Sequence, residues 1–291
     1  MALDDTDLPA LTADLGLPGL FDVHVHFMHP RVLAKVWAYF DSAGPLLGRP
    51  WPITYRGSDE ERVEQLRALG VRHFSALSYA HRAGVATFMN AWTLDFADRV
   101  PEALRCATFY PEPEAGAYVA TLLDDGVELF KAHLQVGDFA ADDPLLDPVW
   151  AQLAERGVPT VLHAGSGPAP GTHTGPAGVE RVLRRHPDLP LVVAHLGMPE
   201  YREFLDLAER YPNVRLDTTM AFVDFWDHPV DPDLGPRLLG LQDKVLLGTD
   251  FPNIPYAYAH QVEVLQRLDL GDAWLRDVLW HNGARLLGRA S

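Results

Sequence analysis

The stretch Leu145-Leu146-Asp147-Pro148-Val149-Trp150-Ala151-Gln152-Leu153-Ala154-Glu155-Arg156-Gly157-Val158-Pro159-Thr160-Val161-Leu162-His163 contains a helical pattern, a stop and a strand. The helical part runs from Leu145 to Arg156 and ends at Gly157, a residue suited to the left-handed turn that closes a helix. Pro159–His163 is then an apolar run short enough for a strand covered on both faces. The unit ends on an imidazole.

The same alternation extends in both directions. Strand candidates are Gly19–Phe27, Val71–Ser78, Leu104–Tyr110, Val127–His133, Pro159–His163, Leu191–His195, Val214–Thr218 and Lys244–Asp250. Between them lie helical patterns. Ser58 with Glu61 forms a capping box that opens one helix, and Gly70 closes it. Val179–Arg185 and Glu200–Arg210 stop near Pro187 and Pro212, and a short helix is predicted near Val32–Phe40. Strands alternating with helical crossovers predict a parallel sheet. Eight such units predict an α/β fold of the (β/α)8 type, a TIM barrel, as one domain over residues 1–291 with residues 1–18 as an N-terminal extension.

Composition narrows the partners. The 291 residues carry a net charge of −16, which argues against nucleic acid and anionic membrane, since both call for clustered Lys and Arg. No window reaches the roughly 20 apolar residues of a membrane helix. The first residues carry Asp4, Asp5, Asp7 and Asp14 instead of a basic, then apolar, leader. With a single cysteine, Cys106, in an apolar stretch, a cytoplasmic protein is expected, and that thiol reads as inert core. The expected partner is a small-molecule substrate, with a homodimer as the default assembly.

The 13 histidines carry most of the chemistry. In Phe21-Asp22-Val23-His24-Val25-His26, strand alternation puts Asp22, His24 and His26 on one face. Two imidazoles two strand residues apart can converge on one ion. His163, His195 and Asp250 each end an apolar run. In a barrel, those ends form the catalytic face.

Asp-x-His-x-His on the first strand, His on the fifth and sixth, and Asp on the eighth resemble the amidohydrolase superfamily. More narrowly, the chain resembles the amidohydrolase-2 branch, related to aminocarboxymuconate-semialdehyde decarboxylase. Leu246-Leu247-Gly248-Thr249-Asp250-Phe251-Pro252 and His281-Asn282-Gly283-Ala284-Arg285-Leu286-Leu287-Gly288 belong to the same likeness, which covers nearly the whole chain. The resemblance implies His24, His26 and His163 as metal ligands, Asp250 as ligand or close partner, and His195 as an acid/base outside the ligand set. The resemblance implies one divalent ion, and nitrogen and oxygen donors favour zinc, with manganese or iron as alternatives. Lys131 and His133, on the fourth strand, are read as substrate-binding. A carboxylated Lys131 bridging two metals is the alternative.

Two activities fit this set. The first is hydrolysis of an amide, lactone or other ester carbonyl by a metal-activated water, with Asp250 taking the proton. The second is metal-dependent decarboxylation of a small aromatic or unsaturated acid. A metal-free binding protein on the same scaffold is the third reading. His29, Tyr55, Tyr79, His173, Tyr256, Trp226 and His228 fall in loops after strands, and the sequence assigns none of them an individual role.

Overall fold

The computed structural model describes residues 3–225, 231 and 233–289. Trp226 and His228 lie outside the described residues. Among the described residues, eight strands follow one another with helices between them. They are β1 Leu20–Asp22, β2 Val71–Phe74, β3 Cys106–Thr108, β4 Leu129–His133, β5 Thr160–His163, β6 Leu191–Val193, β7 Val214–Asp217 and β8 Val245–Leu246. Each lies inside a predicted run, and the fold is the (β/α)8 barrel class. The chain divides into two compact units, Met1–Phe74 with Thr218–Ser291, and Ser75–Asp217.

In the second unit, β3 to β7 are consecutive parallel neighbours, with pairs such as Lys131↔Val161 and Val161↔Val192. The stretch quoted above behaves as read. Its helix, Asp147–Arg156, follows a short turn at Pro144–Leu146 and closes on Gly157 at φ 65°. Trp150 is buried there, and its indole N–H donates to the Ala141 carbonyl at 2.8 Å. Helices Pro176–Arg185 and Tyr201–Arg210 bury Val179, Val182 and Leu183, and Phe204, Leu205 and Leu207. Cys106 is buried and accepts from the Ala76 N–H, and burial pushes its thiol up, which makes it an inert core residue.

In the first unit, β1 pairs in parallel with β2, Asp22 opposite Phe74. The capping box forms as predicted: the Ser58 hydroxyl accepts from Glu61 N, and the Glu61 carboxylate accepts from Ser58 N at the start of Asp59–Ala68. The motif His281–Gly288 lies in the closing helical stretch. There the Asn282 side-chain amide donates to the carbonyls of Gln242 and Val245, beside β8. Gly283 sits against Phe21, where a Cβ would come within 2.7 Å of the ring. Trp274 and Trp280 are buried.

The N-terminal extension is fastened by a carboxylate. Asp5 accepts from the Tyr55 hydroxyl and from the Ala259 N–H at the start of helix Tyr258–Arg267. The Tyr55 oxygen also accepts from Tyr258 N. Burial, then the Asp5 carboxylate, raises the Tyr55 hydroxyl far above the ordinary tyrosine value. Burial and Asp22 do the same for Tyr258. The linkage has one sign. These groups stay protonated when folded but ionise near pH ~10 when unfolded. Their contribution is therefore fully present below about pH 10 and is lost as pH rises above it. At about pH 11, tyrosinate absorbance of the native protein is expected to be well below that of the denatured protein, with stability falling over the same interval. Equal absorbance with the fold intact would contradict this.

Candidate metal centre

Strand β1 stops at Asp22, so the two imidazoles after it do not stand on a regular strand as predicted. The reason is local. The Asp22 carboxylate accepts the His24 N–H at 3.0 Å, so that donor is lost to a strand ladder. The chain bends at Val23 and runs beside the segment after β8. Val23 N donates to Leu247 O, Asp250 N to His24 O, and His26 N to Phe251 O. These three bonds place the motif of the first strand against the motif of the eighth.

His24, His26 and Asp250 converge as a result. Their candidate ligand atoms all lie within 4.8 Å of one another. His26 Nε2 is 2.7 Å from Asp250 Oδ1, and His24 Nε2 is 3.7 Å from the same oxygen. Donor atoms around a tetrahedral ion with ~2.1 Å bonds lie about 3.4 Å apart. The set therefore fits a divalent cation after shifts of about an ångström or less. Two buried imidazoles with one partly exposed carboxylate also match the nitrogen and oxygen chemistry of zinc and manganese. Asp250 itself sits at φ 70°, in the left-handed region that Asp tolerates better than most residues.

Asp22 is not in the donor group. Its carboxylate is fully buried and is occupied by His24 N, by the Thr249 hydroxyl at 2.6 Å and by the Tyr258 hydroxyl at 2.9 Å. A buried carboxylate without donors costs several kcal/mol. Here three donors meet it and tie the backbone of one candidate ligand, His24, to the residue preceding another, Asp250. Tyr256 lies close by. Its hydroxyl contacts Gln261, and burial together with the Asp250 carboxylate raises it well above the ordinary value. It therefore keeps its proton at neutral pH.

The second unit brings the other predicted residues together. His133 and His163 are opposite each other in the β4–β5 pairing, and their rings stack at 3.8 Å and 10°. The His195 ring stands at 62° to that of His163, 4.6 Å away. His163 Nε2 is 2.9 Å from the Gly167 carbonyl, which can only accept, so in the neutral ring Nε2 carries the proton and Nδ1 is the basic nitrogen. His133 Nδ1 accepts from Val136 N. Lys131 is buried on β4. The sixth strand also ends earlier than predicted, at Val193. His195 N donates to the Asp217 carboxylate at 2.9 Å, and His195 adopts φ 57°.

The sequence matches the amidohydrolase family over residues 21–289. The chain belongs to that family. No curated protein matches this amidohydrolase in sequence. Solved structures do match it in fold. An uncharacterised TIM-barrel protein from Bordetella bronchiseptica is 22% identical with a TM-score of 0.75, covering 92% of this chain and 99% of that one. A 5-carboxyvanillate decarboxylase from Novosphingobium aromaticivorans, with bound manganese and a nitrobenzoic acid, is 15% identical (TM-score 0.66; 94% and 98% covered). A probable 2-pyrone-4,6-dicarboxylic acid hydrolase from Acinetobacter baumannii, with bound citric acid, is 14% identical (TM-score 0.60; 93% and 99% covered). In this amidohydrolase, among the described residues, no helix is long and apolar enough to cross a membrane.

Sequence reasoning did not assign roles to Thr249, Tyr258, Asp217 and Asn253. Thr249 could have been found, since it directly precedes Asp250. Nothing in the sequence marks Tyr258 as a partner of Asp22, because 236 positions separate them.

Proposed function

We propose that this amidohydrolase is a metal-dependent hydrolase of a small molecule with an amide, lactone or other ester carbonyl. The observation that carries the reading is the Asp250 carboxylate, held 2.7 Å from one buried imidazole and 3.7 Å from a second. His24, His26 and Asp250 would hold one divalent cation, zinc first by donor chemistry and manganese as the alternative. Such a cation would act as a Lewis acid and lower the pKa of water. The chain supplies the rest. Asp250 accepts the proton of the attacking water and passes it to the leaving group. His163 is assigned the further nitrogen ligand role, through Nδ1. His195 is assigned acid/base work toward the substrate, and Lys131 and His133 bind substrate, as the family likeness suggests.

Decarboxylation is the second reading, favoured by the fold shared with the manganese-containing 5-carboxyvanillate decarboxylase. One experiment separates the two. Zinc- or manganese-loaded protein is incubated in ¹⁸O-labelled water with a panel of lactones, esters and amides, and separately with hydroxybenzoates and unsaturated dicarboxylic acids. Incorporation of ¹⁸O into a new carboxylate supports hydrolysis. Loss of CO₂ without that incorporation supports the lyase. Absence of both from the metal-loaded protein across the panel would overturn the proposal.

A further inference from the structure

Segment 28–57 follows the β1 ligands, and the turn Asp250–Asn253 carries the third. Two indoles join them. Trp37 Nε1 donates to the Asn253 side-chain oxygen at 3.0 Å, and Trp51 Nε1 donates to the Asn253 backbone carbonyl at 2.7 Å. Asn253 N in turn donates to the Asp250 carbonyl at 2.9 Å, and Thr54 N donates to Ile254 O. Asn253 is buried, so each of these bonds is made where water competes poorly.

The two tryptophans are themselves fixed. The Arg62 guanidinium lies between aromatic faces, 4.7 Å from the centre of Phe27 and 5.7 Å from that of Trp37. Phe27 directly follows the ligand His26. Trp51 stacks on Phe40 at 5.1 Å and meets the edge of Phe225 at 5.3 Å. Segment 28–57 is therefore held at one end beside His26, and its tryptophans reach the turn that carries Asp250. Asp250 needs such support. It occupies the left-handed region at φ 70°, and its carboxylate reaches the imidazoles only while that turn holds its shape.

We propose that Asn253 is a positioning residue for Asp250, and that Trp37 and Trp51 act through it to couple the order of segment 28–57 to the metal centre. Asn253 contacts neither a donor atom nor the reacting groups in this assignment. It acts by holding the Asp250 turn. The inference rests on His24, His26 and Asp250 as the ligand set. It does not depend on which reaction the centre performs.

The test is titration of metal-depleted protein with Mn²⁺ alone, by calorimetry and by the thermal shift that Mn²⁺ produces. Trp37→Phe and Trp51→Phe each remove one indole N–H and keep an aromatic ring, and Asn253→Ala removes the side-chain acceptor. Trp92→Phe, on the helix Ala86–Arg99, is the control for loss of an indole elsewhere. Each of the three variants is expected to weaken Mn²⁺ affinity about tenfold, the low end for partners that orient metal ligands. The double variant Trp37→Phe/Trp51→Phe should weaken it further, and the control should bind like the parent. Where a substrate is in hand, kcat at saturating Mn²⁺ should fall more than KM rises, because the residue misplaced is Asp250, the proposed proton acceptor. Parent-like Mn²⁺ affinity in all three folded variants, with only the melting temperature lowered, would overturn the proposal. Failure to find any turnover would count against the hydrolase reading and leave the affinity result intact.

Discussion

Asp250→Asn is expected to lower turnover by about 10²–10⁴-fold while most of the bound metal is retained. The carboxylate serves two purposes in the proposed function. As a donor, it offers Oδ1 to the same region as His24 Nε2 and His26 Nε2, at 3.7 and 2.7 Å. As a base, it takes a proton that an amide oxygen has little capacity to take. Asparagine keeps an oxygen in place and loses the basicity, so the two roles separate. Metal content by elemental analysis reads the first and kcat reads the second. The double replacement His24→Ala/His26→Ala should do the reverse and empty the site, because two of the four proposed ligands are gone, both from the His24–His26–Asp250 cluster. Near-parental kcat in Asp250→Asn would remove the proton-transfer role. Loss of metal together with activity would make Asp250 chiefly a ligand.

The second large effect is expected at a residue that touches no metal. Asp22→Ala should destabilise the fold by about 3–5 kcal/mol, because it strands three buried donors at roughly 1–3 kcal/mol each. Three donors converge on this carboxylate, from His24 N, Thr249 and Tyr258. Alanine leaves all three without their acceptor at a fully buried position. The cost is paid twice, since Asp22 also fixes the backbone of His24 and the hydroxyl beside Asp250. Metal affinity should therefore fall even under conditions where the variant is folded. Asp22→Asn keeps an acceptor and the shape, and should lose less. Denaturant unfolding gives the first quantity and Mn²⁺ titration the second. If the alanine variant unfolds at the parental midpoint, the network is not what holds the two motifs together.

Asp250 is legible in the sequence and the role of Asp22 is not. Asp250 ends an apolar run, and its place in Gly248-Thr249-Asp250-Phe251-Pro252 was enough to nominate it. His24 and His26 were nominated by alternation, and the structure brings them to Asp250 by another route. The strand ends at Asp22, and the chain bends at Val23. The predicted strand at Leu191–His195 is shortened in the same way, by Asp217 taking the N–H of His195. At the eighth strand, the Thr218 hydroxyl takes the Gly248 N–H and the Thr249 hydroxyl takes that of Phe251. In each case a side chain intercepts a backbone donor at the point where a functional residue begins. Strand periodicity cannot register this, because it reports which residues are apolar and not where each N–H goes.

The order of strands and helices, the capping box at Ser58 and the stop at Gly157 are legible in the sequence alone, and the ionisable candidates near the strand ends can be named from it. These depend on neighbours a few residues apart, which is the range over which propensity and periodicity act. The tertiary structure brings His24, His26 and Asp250 together, braces them by Asp22 through His24 N and Thr249 with Tyr258 as a third donor, and lays two indoles of segment 28–57 on Asn253. Those bonds join positions up to 236 residues apart, and burial makes them strong by excluding water from charges and donors that a linear reading sees one at a time.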